Sequence, residues 1–290
     1  MTAIRFGLDI SASIERGGDP VATALHAEAL GFDFVSANDH LHGPEARFEA
    51  WTMLSWIAAR TSRIAVASRV LGVPYRHPAV LAKMAETFDR LSDGRLILGL
   101  GAGASEDEFE ALGVGRASQA ERTAGLREAL LIVRGLWSER ALSFEGARYR
   151  TRAARLVPKP ARPIPIWLGT HGRIGLELTG QLADGWIPSI EYAPPDAVPE
   201  MLRTIVTAAR DAGRDPSRIA RIYNLPVSIG PGHAAGSSVV SGPPAAVADR
   251  LVEFTRLGFS GFNFIVSRPD AHAQKERLAN EVMPAVRASV

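Results

Sequence analysis

Short apolar runs and longer segments with helical periodicity alternate along the whole chain. Ile4 to Ile10 reads as a first strand. Asp19-Pro20 then supplies an N-cap and a proline suited to the first helical position, and Gly31 closes that helix. Phe32 to Ala37 is a second strand, Phe48 to Ala59 a helical run and Ile64 to Leu71 a third strand. His77-Pro78 opens a helix that sets Val80, Met84, Phe88 and Leu91 on one face. Asp93-Gly94 turns the chain into a fourth strand, whose apolar run Leu96 to Leu98 breaks into Gly99, Gly101 and Gly103. Residues 105–137 read as helical, with Leu126, Leu130, Val133 and Trp137 spaced four, three and four apart.

The rhythm continues through a fifth strand, Ile164 to Leu168, and a helix from Gly172 to Leu182. Gly185 to Ile187 is a short sixth strand, Pro199 to Ala212 a helix and Ile219 to Ile229 a seventh strand. Pro243 to Leu257 is a helix, Gly261 to Val266 an eighth strand, and a last helix runs to about Arg287. Eight strand–helix repeats predict an α/β fold, a (β/α)8 TIM barrel, better than an open doubly wound sheet. Residues 138–163 break the rhythm as an insertion containing a hairpin pattern, and residues 230–242 form a second long loop. No linker separates two units, so residues 1–290 are expected to be a single domain.

Composition narrows the function. A net charge of +2 with no basic run gives no support for nucleic-acid binding. No segment reaches the roughly 18 continuous apolar residues of a membrane span, and the start lacks a signal-peptide core, so a cytoplasmic protein is expected. The absence of Cys removes disulfides, thiolate catalysis and Cys-ligated metals.

In a parallel barrel the chemistry sits on the loops after each strand. Those positions hold Asp9 and Ser11, then Asn38, Asp39, His40 and His42, then Ser68 and Arg69. Gly101 to Ser105, Gly169 to Arg173, Pro188-Ser189, and Ser267 with Arg268 complete the set. The imidazole of His40 beside the carboxylate of Asp39 suits acid–base work near neutral pH, although a loop cap and a structural histidine would look the same. Gly169-Thr170-His171-Gly172-Arg173 joins a strand to a helix, where backbone N–H groups suit a phosphate. Gly101-Ala102-Gly103 is not a full dinucleotide fingerprint, which argues against a Rossmann site. The tryptophans read as core or helix-face residues, with Trp186 set apart by its place near a strand end.

Several motifs in order resemble the luciferase-like monooxygenase family, and within it the branch that uses coenzyme F-420, an 8-hydroxy-5-deazaflavin. They are Gly31-Phe32-Asp33-Phe34 with Asp39-His40, Val73-Pro74-Tyr75-Arg76-His77-Pro78, and Leu91 to Gly103. Glu108 to Gly113, Pro163 to Gly169, and Ala183-Asp184-Gly185-Trp186 follow. The resemblance implies a phosphate-bearing deazaflavin across the barrel mouth, with Asp39 and His40 beside its ring and His40 as the catalytic residue. It implies a non-prolyl cis peptide at Arg69–Val70 against the ring, with Ser68, Arg69 and Val70 in the cofactor site. It places the phosphate on amides near Gly101, Ala102 and Gly103 and near Gly169, Thr170, His171 and Gly172, with Arg173 adding charge. Arg69 stands where relatives carry a small residue, and Ala104 where many carry an aromatic one.

The expected partner is a small organic substrate, with a homodimer as the expected assembly. An FMN-dependent monooxygenase using oxygen is the nearest alternative. No metal is expected; a metal-dependent barrel hydrolase would rest on the ligand spacing of His40-Leu41-His42, with His171 as a further ligand. A non-catalytic cofactor-binding protein is the remaining reading.

Overall fold

A computed structural model of the chain describes residues 4–14, 18–230, 238–266 and 270–290. Its frame is β1 (Arg5–Asp9), β2 (Phe34–Ala37), β3 (Ala65–Ser68), β4 (Leu96–Gly101), β5 (Ile166–Leu168), β6 (Gly185–Trp186), β7 (Ala220–Ile229) and β8 (Gly261–Val266). Each strand pairs in parallel with the next. β8 pairs with β1 through Arg5↔Gly261 to Leu8↔Phe264, which closes the barrel. Around it lie α1 (Pro20–Ala29), α2 (Ala50–Arg60), α3 (Pro78–Leu91), α4 (Glu106–Ala111), α5 (Gln119–Ser138), α6 (Arg173–Leu182), α7 (Val198–Asp211) and α8 (Pro244–Arg256). α9 (Ala271–Arg277) leads through a π-helical turn, Leu278–Val282, into α10 (Met283–Ser289).

One apolar core lies between strands and helices, and a second, smaller one holds Phe34, Ala67, Ile97, Trp167, Ile187 and Ile222. Phe34 and Trp167 meet edge to face, with centroids 5.4 Å apart and planes at 89°. A Cβ on Gly7, the register partner of Phe34, would fall inside that ring, so the bare backbone at Gly7 makes room for it. Two residues further along, the register partners are Asp9 and Ser36. Asn224 on β7 and Asn263 on β8 are likewise two residues beyond Ile222 and Gly261. Side chains two apart on a strand share a face, so the barrel passes from an apolar floor to a polar layer towards the carboxyl ends.

The predicted caps are present: Asp19 accepts from Val21 and Ala22 N–H at 2.9 and 3.0 Å, and Gly31 has φ +79°. The insertion carries an antiparallel hairpin, Leu142–Glu145 with Arg150–Ala154. Elsewhere the structure corrects the reading. The helix expected over 105–137 is two: Gly113 and Gly115 at φ +68° and +85° end the first, and a Ser118–Glu121 capping box starts the second. The third strand stops at Ser68, and Leu71–Gly72 pairs separately with β4. On α3 the core face is Leu81, Ala82, Ala85 and Phe88, whereas Val80 and Leu91 are exposed. Together with Trp51, Ala58 and Met84 they line an apolar groove of about 420 Å³ beside α2. Trp186 is fully buried, its indole N–H donating to Thr170 O at 2.8 Å, so it is no exception among the tryptophans. No described helix is long and apolar enough to cross a membrane.

Candidate active site

The Arg69–Val70 peptide is cis, at the bond where the motif resemblance places it. Ser68, just before it, is fully buried and clamps β3 to β4: its Oγ donates to Gly99 O at 2.9 Å and accepts from Gly99 N–H at 2.8 Å. Arg69 turns towards β1, with Nε and Nη2 at 3.0 and 2.9 Å from Asp9 Oδ1. Burial pushes the Asp9 carboxyl up, against the pull of Arg69 and Ser36. Val70 fills the space over the glycines of two strands. A Cβ on Gly101 would stand 2.6 Å from Val70 Cγ2, and one on Gly169 would stand 3.2 Å from both its methyls. A Cβ on Gly99 would meet Ser68 O at 1.8 Å, so only glycine fits there. These residues present backbone rather than side chains at the mouth.

The loop after β2 is held by two buried carboxylates. The Asp39 side chain is fully covered; it accepts from Arg76 Nη1 at 2.6 Å and Nη2 at 3.0 Å, and from Gly72 N–H at 3.0 Å. Arg76 also donates to Glu49. Burial works against the Arg76 charge, but Asp39 and Glu49 more than offset it, so its pKa is raised. The second carboxylate is Glu108, which the Ser105 cap sets in the first turn of α4 by accepting its N–H at 3.2 Å. Glu108 Oε1 accepts from Leu41 and His42 N–H, the latter at 2.8 Å. Glu108 Oε2 accepts from Tyr75 Oη at 2.5 Å and lies 3.6 Å from His40 Nδ1. Burial alone would raise the Glu108 pKa, but Tyr75, the two amides and His40 bring it below the usual range. Burial, then the Glu108 carboxylate, raises the Tyr75 pKa, so the phenol stays a donor. His40 itself is about half exposed, at 49% for its side chain.

The loop after β5 is arranged differently. Thr170 is buried, and its hydroxyl meets Thr179 Oγ1 at 2.8 Å rather than facing the mouth. His171 is exposed and stacks on Tyr192 at 5.0 Å. Gly172 caps α6 without a side-chain hydrogen bond, so the first amides of this ten-residue helix have no internal acceptor. Arg173 is exposed and pairs with Glu177 at 3.0 Å. Between β4 and α4, Gly101 is buried, Ala102 and Gly103 are partly exposed, and Gly103 has φ +83°.

Deeper in the barrel, Ser36 Oγ donates to Asn263 Oδ1 at 3.0 Å and Asn224 Nδ2 donates to Ile187 O at 3.0 Å. Among the described residues Asn263 Nδ2 and Asn224 Oδ1 have no hydrogen-bond partner, which leaves a donor and an acceptor on adjacent strands. Ser267, Arg268 and residues 231–237 of the long loop lie outside the described residues. The hydrolase alternative finds no third ligand: among the described residues, the set of His, Asp or Glu atoms that converges does not include His40, His42 or His171.

Reading strand ends found His40, Asp39, Asp9 and Arg69, but not Glu108, Tyr75 or Arg76. Tyr75 and Arg76 lie in the connection from β3 to α3 and Glu108 in the first turn of α4, inside motifs that are legible without revealing what they touch.

The arrangement suits a planar ring with an anionic tail. Glycine backbones and Val70 give a flat apolar rest, and the uncapped α6 amides suit a phosphate. Comparison with known proteins agrees. The luciferase-like monooxygenase family model matches residues 1–240. The F420-dependent glucose-6-phosphate dehydrogenase of Nakamurella multipartita is 33% identical over 234 residues, spanning 78% of this chain and 68% of that one. The enzyme of the same name from Microbacterium testaceum is 29% identical over 303 residues, spanning 96% and 88%. Among solved structures, an F420-dependent secondary alcohol dehydrogenase with an F420-acetone adduct superposes with TM-score 0.87 at 21% identity, over 98% of this chain and 99% of that one.

Proposed function

The chain belongs to the luciferase-like monooxygenase family, and we infer that it is an oxidoreductase exchanging hydride between coenzyme F-420 and a small organic substrate. When bound, the deazaflavin supplies hydride acceptance and donation at its ring carbon C5. Val70 and the backbone of Gly101, Ala102, Gly103 and Gly169 would support the ring. The amides that begin α6, after His171 and Gly172, would take the phosphate. The Ser68 and Asp39 side chains, both spent on other partners, serve by holding the β3–β4 edge and the Arg76 segment in place.

The observation that carries the mechanism is half-exposed His40 with buried Glu108 at 3.6 Å behind its Nδ1. For an alcohol–carbonyl pair, a proton must leave the hydroxyl as hydride leaves its carbon. His40 accepts that proton in one direction and returns it in the other, and the Glu108 carboxylate stabilises the imidazolium. Glu108 acts through His40 and is a positioning residue. His40→Ala should lower kcat for F-420-linked turnover by about 10²–10⁴-fold while cofactor affinity changes only a few-fold. An affinity loss with unchanged kcat would move His40 into the binding site and out of the proton path.

We also propose a homodimer packed through the apolar groove of Trp51, Val80, Met84 and Leu91. Sedimentation velocity should give twice the chain mass for the native protein and a monomer for Leu91→Glu; a native monomer rejects this assembly.

A further inference from the structure

α1 and α9 bring together a polar cluster that the mouth does not use. His26 lies in the last turn of α1, and its Nε2 is buried with no hydrogen-bond partner among the described residues. His272, in the first turn of α9, lays its ring on that of His26 with centroids 4.3 Å apart and planes 18° from parallel. Glu276 follows one helical turn later, on the same face, with Oε1 3.3 Å from His272 Nε2. One ligand atom from each of the three residues lies within 4.8 Å of the other two.

We propose that His26, His272 and Glu276 form a binding site for a divalent transition-metal cation of the Zn²⁺ class. The donor set carries the choice of ion. Two imidazole nitrogens and one carboxylate oxygen suit zinc and its neighbours, whereas Ca²⁺ and Mg²⁺ take oxygen ligands. Bonds of about 2.0–2.1 Å place ligand atoms around a tetrahedral ion about 3.3–3.5 Å apart, so an ion would turn the exposed His272 ring out of its stack on His26 to bring both lone pairs onto one point. Ring stacking and an exposed His–Glu pair account for His272 and Glu276. They do not account for the buried Nε2 of His26, which has no hydrogen-bond partner among the described residues and which a cation would engage.

Three protein ligands leave a fourth position for water. The ion would tie α1 to the helix that follows β8.

Untagged protein, stripped with a chelator and returned to chelator-free buffer, would be titrated with ZnCl2 by calorimetry and with CoCl2 by visible absorption. One ion per chain is expected, with cobalt d–d bands. Zn²⁺ at about 100 times its Kd should shift the unfolding equilibrium about 100-fold towards the folded state. His26→Ala and His272→Ala should each weaken binding at least about tenfold, and Glu276→Gln should weaken it as well. The exposed His272 keeps the test valid if the His26 variant folds poorly. Unchanged binding in His272→Ala, or no saturable binding up to about 1 mM Zn²⁺, overturns the proposal.

Discussion

Arg76→Ala removes the bidentate partner of a fully covered carboxylate without touching the proposed proton acceptor. Asp39 would lose bonds of 2.6 and 3.0 Å and keep only the Gly72 N–H at 3.0 Å. Removing one member of a buried pair typically costs about 3–5 kcal/mol, because the other charge stays buried without compensation. The surviving Gly72 bond and the slight exposure of Arg76, 13% for its side chain, place this case at the lower end. In a chain of this length about 3 kcal/mol lowers Tm by roughly 5–8 °C. Urea unfolding gives the free energy directly, through a fall in midpoint at unchanged slope. Asp39→Asn/Arg76→Ala removes both charges together and should be more stable than Arg76→Ala alone. A loss below about 1 kcal/mol for Arg76→Ala, the range of exposed pairs, would refute the buried-pair argument. So would a double variant whose loss equals the sum of the single losses.

Two further predictions reach other parts of the molecule. Gly101→Ala puts a methyl 2.6 Å from Val70 Cγ2 and should weaken F-420 binding about tenfold or more, with partial recovery on adding Val70→Ala; an unchanged Kd by fluorescence titration would take Gly101 out of the cofactor rest. Burial would raise the Glu28 pKa, but hydrogen bonds from Ile64, Arg63 and Ser62 bring it down from 4.5 to about 2. A lowered folded-state pKa means stabilisation that is full above about pH 4.5 and lost as pH falls towards 2. Glu28→Gln should therefore cost about 1–2 kcal/mol at pH 7 and almost nothing near pH 2, and a pH-independent difference in urea denaturation would contradict this.

Much of the barrel is legible because several strands and helices are bounded by local signals. Asp19-Pro20, Gly31 and His77-Pro78 act within a few residues of themselves, and their elements stand where the pattern put them. The glycine spacing of β4 announced a close approach, and the structure supplies the partner, Val70. What failed depended on distance along the chain. Glu108 binds amides 66 and 67 residues away, and Arg76 meets a carboxylate 37 residues away, so neither role is visible in spacing. Val80 and Leu91 are apolar at helical intervals, yet they face a groove on the outer surface. Periodicity identifies an apolar stripe without saying what covers it. The break between α4 and α5 hides behind the regular apolar spacing of residues 126–137, although Gly113 and Gly115 mark it.

Cofactor choice tests the central claim most directly. Purified protein freed of ligand would be titrated with F-420 and, separately, with FMN, following fluorescence. The account predicts saturable, tight binding of F-420 and much weaker binding of FMN. Preference for FMN would contradict it and turn the reading towards oxygen chemistry. Failure of both to bind would leave the barrel standing and remove the functional assignment built on Val70, Gly101 and the α6 amides.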